Sequence, residues 1–249
     1  SSSREKKKRK KSNDGIPVVL PVGSPAVVLP DDDDDKARQE EVDEILYKVI
    51  WTSSDAAVVW YGLDKLANFC FDGEEANSYR LILCQDQRLS VITGAMIEWA
   101  ENPEILGEAC GVIMNALASE EVDNETVETT GLVVSVLKAM RKHPNSEDLQ
   151  GDGCGALGSL LFQGSSKDNF VTKLDGLTTI AAAMKMYPGN VRLQMTGCIV
   201  INILSKLPEL KDHLIEAGCV ELAVAAFRLR KNAQNNHAKV IKDLAPKIT

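Results

Sequence analysis

Apolar side chains along this chain recur every three to four positions rather than in alternation. Leu149, Gly153, Leu157, Leu160 and Leu161 fall on one face, the spacing of an amphipathic helix. A shorter apolar cluster follows at Phe170, Val171 and Leu174, and after Gly176 another stripe runs through Leu177, Ile180, Ala181 and Met184. The order predicted is a long helix, a short helix, a glycine corner and a medium helix. Glycine suits such a corner because it adopts backbone angles that residues with a side chain resist. Beyond residue 36 there are no alternating β-branched runs bounded by hairpin turns, so no strands are expected.

The same order recurs. Leu149-Gln150-Gly151-Asp152-Gly153-Cys154 aligns with Leu193-Gln194-Met195-Thr196-Gly197-Cys198 at an offset of 44, and Ala109-Cys110-Gly111 lies another 44 before Gly153-Cys154-Gly155. A fainter copy is Gly62-Leu63-Asp64-Lys65-Leu66-Ala67-Asn68. Between them recur the expected corners Thr93-Gly94, Thr130-Gly131, Asp175-Gly176 and Ala217-Gly218, and the helix-ending prolines of Asn102-Pro103, His143-Pro144 and Tyr187-Pro188. Periods of about 40 to 47 residues mark helical solenoids. At the ends, Ala37 to Trp51 is expected as an opening helix, and Asn232 to Thr249 as a polar terminal cap or, equally, as the start of a longer array. The irregular spacing from Asp72 to Thr93 predicts a longer, less ideal short helix there.

Residues 1–36 have a different composition and are expected to be a disordered tail. Arg4 to Lys11 hold seven basic residues and one Glu, Pro17, Pro21, Pro25 and Pro30 break helix and sheet alike, and Asp31 to Asp35 are consecutive carboxylates. The basic run is a candidate nuclear localisation signal and, by its charge, a candidate competitor for an acidic groove. The prolines interrupt the apolar residues that a secretory signal would need.

Composition narrows the chemistry. The 249 residues carry a net charge of −8, and residues 37–249 hold 20 basic against 29 acidic side chains, which argues against broad nucleic-acid binding. Gly153-Cys154-Gly155-Ala156-Leu157-Gly158 matches a dinucleotide-binding motif letter by letter. That motif needs a preceding strand, whereas this match lies inside an expected helix, so the glycines are read as close-packing positions. Cys110, Cys154 and Cys198 sit at equivalent positions, and with Cys70, Cys84 and Cys219 they contain no CxxC pair; they are read as buried thiols of a reducing compartment. The three histidines, His143, His213 and His237, share no setting, and no HExxH or GxSxG occurs. No catalytic, cofactor or metal site is expected, nor is a membrane span. Asn124-Glu125-Thr126 matches a glycosylation sequon without significance in a cytoplasmic or nuclear chain.

The units resemble the armadillo repeats of β-catenin and importin-α over roughly residues 37–249. The likeness rests on the Glu216-Ala217-Gly218-Cys219-Val220 corner and on long-helix endings such as Leu66-Ala67-Asn68-Phe69-Cys70. It implies an all-α, right-handed α-solenoid of about three and a half to four armadillo-like repeats, with HEAT-like pairs as the alternative. It further implies a non-catalytic interaction module or scaffold, cytoplasmic or nuclear, that binds an extended protein segment along the groove lined by its long helices. The alternatives are a helical-repeat nucleic-acid-binding protein and, less favoured, an enzyme built on helical repeats. By matching, Asn68 and Asn115 occupy the position whose amide would bind the partner backbone; Ser159 replaces it in the third unit, and Asn202 lies one residue from it in the fourth. Where importin-like grooves carry tryptophan, this chain has Asp64, Gly111, Gly155 and Ile199. Asp64, Glu108 and Asp152 recur along the long helices and on such a concave face would favour a basic or polar partner.

Overall fold

The computed structural model describes residues 33–119 and 130–244, and every element among them is helical. In chain order these are α1 (Asp33–Asp43), a π-helical segment (Glu44–Ile50), α2 (Ala56–Phe69), α3 (Ala76–Cys84), α4 (Leu89–Glu98) and α5 (Pro103–Ala116). Then follow α6 (Leu132–Lys142), α7 (Glu147–Phe162), a π-helical turn (Asn169–Lys173), α8 (Gly176–Met186), α9 (Val191–Ser205), a 3-10 turn (Pro208–Leu210), α10 (Lys211–Glu216) and α11 (Cys219–Leu244). The Arg4 to Lys11 run, the proline-rich stretch and the sequon at Asn124 lie outside the described residues. The opening helix starts earlier than its apolar pattern suggested, for Asp33 is already in α1. Carboxylates suit the first turn of a helix, whose dipole is positive there. Arg38 also binds Asp35 at 2.6 Å and Glu75, just before α3, at 2.8 Å.

The long helices start where the sequence punctuates them. Asp55 accepts a hydrogen bond from the Ala57 amide ahead of α2, Asn102 accepts from Glu104 and Ile105 with Pro103 in the first turn of α5, and Asn190 accepts from Leu193 ahead of α9. Four of them, α2, α5, α7 and α9, pack each against the next. A second row, made of the Glu44–Ile50 segment, α4, α6, α8 and α11, does the same, and each long helix also packs on the second-row helix that precedes it. The core lies between the rows, with Leu63, Ile113, Leu157 and Val200 buried from one side and Ile92, Val136 and Ile180 from the other.

The corners are partly displaced from the glycines that announced them. Gly131 and Gly218 have φ of 69° and 74°, as a glycine corner requires. At the third corner the left-handed residue is Asp175, with φ 51°; Gly176 is the next residue, and a Cβ on it would lie 2.3 Å from the Phe170 ring. Gly94 is no corner. It sits inside α4, where a Cβ would fall 2.6 Å from Trp51, and the corner before that helix is made by Asp86 and Gln87 at φ 50° and 57°. Met96, Met140 and Met184 each lie nine residues beyond a left-handed residue, Gln87, Gly131 and Asp175 respectively.

Small residues let the rows close up. A Cβ on Gly153 would lie 2.7 Å from Met140, one on Gly197 2.5 Å from Met184, and one on Gly62 3.0 Å from both Val49 and Ile50. The dinucleotide-like glycines all sit within α7, where Gly153 and Gly155 are close-packing positions and Gly158 would meet Ile199 only at an ordinary 3.5 Å. Side-chain hydrogen bonds repeat with the same period. The Gln150 amide donates to the carbonyls of Met140 and His143, and Gln194 donates to those of Met184 and Tyr187, with the same 2.8 and 3.1 Å distances. Second-row helices also reach the next corner, where Thr93 donates to the Thr130 carbonyl, Arg141 to that of Asp175 and Lys185 to that of Ala217.

Candidate functional site

Adjacent long helices bring repeat-related side chains onto one surface. Asp64 on α2 and Glu108 on α5 are half-buried, and the Asp152 side chain on α7 is 16% exposed. Burial pushes the Glu108 carboxyl above the ordinary carboxylate range, and the neighbouring Asp64 and Asp152 charges push it further. Asp152 is also raised by burial, against the pull of Arg192 on α9, with which it forms an ion pair. Three successive long helices therefore contribute to one acidic row, and a cation from the fourth closes its end. In the sequence, the only trace of this pairing is a basic residue, Arg192, in the first turn of α9.

Beside this row lies the half-buried Gly111, with the buried Gly107 one turn before it. A Cβ on Gly111 would meet no atom within 4 Å, and one on Gly107 would make only ordinary contact, 3.7 Å from Asp152 Oδ2. Glycine in a helix interior costs about 1 kcal/mol relative to alanine. At Gly153 close packing explains it, and at Gly155 a Cβ would crowd Met114. At Gly111 no neighbour does. On α2 the exposed Trp60 and Tyr61 flank the surface, and on α9 Met195 and Ile199 do so at 40% and 51% exposure.

The polar positions expected to hold a partner backbone divide. Asn68 and Asn202 are exposed, and their amides make no hydrogen bond within the described residues. Asn115 is half-buried and donates through Nδ2 to the Ala67 carbonyl at 3.0 Å, and the Ser159 hydroxyl donates to the Met114 carbonyl at 3.3 Å. Both tie a long helix to the end of the previous one, so their donors are engaged inside the protein. Gln163 makes a similar strap to the Leu117 carbonyl.

All six cysteines are free. Burial pushes the thiols of Cys70, Cys84 and Cys154 up to about 12, so none is primed as a nucleophile. Of the three equivalent thiols, Cys110 and Cys154 are buried, and Cys198, on the last long helix, is only half-buried. Among the described residues no group of His, Cys, Asp and Glu could hold a metal ion, and no helix is long and apolar enough to cross a membrane. The chain matches no known family model, no curated protein and no solved structure.

Proposed function

We propose that the protein is a non-catalytic interaction module, an armadillo-like α-solenoid that binds an extended, basic protein segment across α2, α5, α7 and α9. The reading rests on one observation above all. Repeat-related positions of consecutive long helices form a continuous surface with a carboxylate row beside the open position of Gly111. An extended chain could bring its backbone close over Gly111 and set Lys or Arg side chains against Asp64 and Glu108, whose mutual repulsion such a cation relieves. The exposed amide of Asn68 remains available to the partner backbone. Asn115 and Ser159 have inter-helix roles and leave the proposed contact set, and Asp152 enters it only when Arg192 moves aside. Two helical segments between successive long helices, as the Asn169–Lys173 turn and α8 between α7 and α9, make three per unit and favour armadillo-like units over HEAT-like pairs. Cytoplasmic or nuclear residence is part of the proposal.

The test is Gly111→Ala, with an extended Lys/Arg-rich peptide as probe. Filling open space in a helix raises stability by about 0.5–1 kcal/mol, and on this reading it weakens peptide binding, as Asn68→Ala does. A more stable variant that binds the probe as well as the parent would overturn the groove.

A further inference from the structure

The last second-row helix, α11, carries an apolar stripe that its predecessors keep covered. Its corner is Gly218, and Phe227 lies nine residues beyond it, as Met140 and Met184 lie nine beyond Gly131 and Asp175. Those methionines are 1% exposed, each seated against a glycine of the long helix that comes next; Phe227 is 70% exposed. Two and six residues beyond the corners, Leu177 and Ala181 are buried, whereas Val220 and Val224 are 54% and 45% exposed. The inward face of α11 is otherwise filled as in α8, with Cys219 and Ala226 buried. The difference lies past the stripe, because α11 runs on to Leu244 and no helix folds back over it among the described residues.

The neighbouring long helix is open on the matching side. On α7 the residues facing α9 include Gly158, where a Cβ would lie 3.5 Å from Ile199, and Gly151, where it would lie 4.0 Å from Leu193. One period later these positions are Asn202 and Met195, with Ile199 between them, all exposed. Met195 and Ile199 of α9 and Val220, Val224 and Phe227 of α11, two helices in closer contact than α7 and α8 are, thus form a two-walled apolar seat.

We infer that this seat binds an amphipathic helix of a partner protein, one bearing carboxylates beside its apolar face. Helical shape follows from the register, since the equivalent seats in the preceding units each hold a helix. The charge follows from the rim. Arg228, Arg230 and Lys231 are exposed within about a turn of Phe227, and Lys206 is exposed one turn beyond Asn202; none forms an ion pair within the described residues. The carboxylate of Glu221 lies on the other side, near Gly218 and Lys185. A second copy of this chain is disfavoured, because its seat would bring the same cations against these. The inference uses the repeat register and not the carboxylates of the acidic row, sharing with that surface only Met195 and Ile199 at its edge.

The test uses a synthetic amphipathic peptide of about 18 residues, long enough to be helical, with a leucine stripe and glutamate flanks, and a twin with lysine flanks. The glutamate peptide should bind the full chain at least about tenfold more tightly than its twin at low salt. Phe227→Glu and Ile199→Glu should each weaken it by about tenfold or more with the thermal melt unchanged, whereas Gly111→Ala and Asn68→Ala should leave it intact. Equal binding of the two peptides, or indifference to Phe227→Glu, overturns the inference. So does sedimentation as a dimer that Phe227→Glu converts to a monomer, which would assign the stripe to a second copy. Capture on anionic lipid vesicles that is lost on Phe227→Glu, without peptide binding, would assign it to a lipid surface and equally overturn it.

Discussion

Single residues carry both the tension and the adhesion of the acidic row. Glu108 has a folded-state affinity for protons above its unfolded value, so its contribution to stability is fully present below the ordinary carboxylate range and is lost as pH rises through the raised value. At neutral pH the ionised group therefore weighs against the fold. Glu108→Gln should stabilise at pH 7 by about 0.5 kcal/mol, a modest figure because the site is partly solvated. The gain should vanish on acidification below the ordinary carboxylate range, as thermal melts across pH would show. The recurrence of Asp64, Glu108 and Asp152 is visible in the sequence because one helical period and one repeat length place them. The straps of Asn115 and Ser159 are not visible. The same residue types serve equally well to bind a partner, and only the distance to the preceding helix end decides which they do.

At the scale of elements, the corners are set by backbone sign rather than by glycine itself. Glycine at 131 and 218 adopts the left-handed region without cost, whereas Asp175 is an L-residue held there. Gly218→Ala should destabilise by about 1–2 kcal/mol, and Asp175→Gly should stabilise by up to about 1 kcal/mol, both measurable by denaturant titration. A null or opposite effect at either site would show that the corner does not depend on that angle. This also explains where sequence reasoning misplaced an element. Asp86 and Gln87 give little sign of left-handed backbone, while Gly94, which does, is small because Trp51 fills the space beside it. The helix caps at Asn102 and Asn190 were legible, since a short polar side chain before an apolar stripe has one common use.

Over the whole molecule, the long helices and the second-row helices form two rows in which each helix touches the next. Helices α5 and α7 have long helices on both sides, and α11 has a long helix on one. Native-state hydrogen exchange should therefore be slowest in α5 and α7 and fastest in α11, grading along the row rather than switching off as one unit. Uniform protection would contradict that. The helical class and the period were readable from residues 109 to 198, where the spacing is constant. The open seat on α9 and α11 was not, because a stripe such as Val220, Val224 and Phe227 reads as core in any amphipathic helix.

The duplicated glutamine contacts have one more consequence. Gln150 and Gln194 hold chemically identical carbonyls in identical geometry, so the polypeptide passes through interchangeable junctions once per period. Excising the segment from just after the first glutamine through the second would join equivalent surroundings and leave both ends of the molecule with their present surfaces. Length could thus be trimmed or extended in whole modules, while a cut of any other size would leave side chains facing the wrong neighbours.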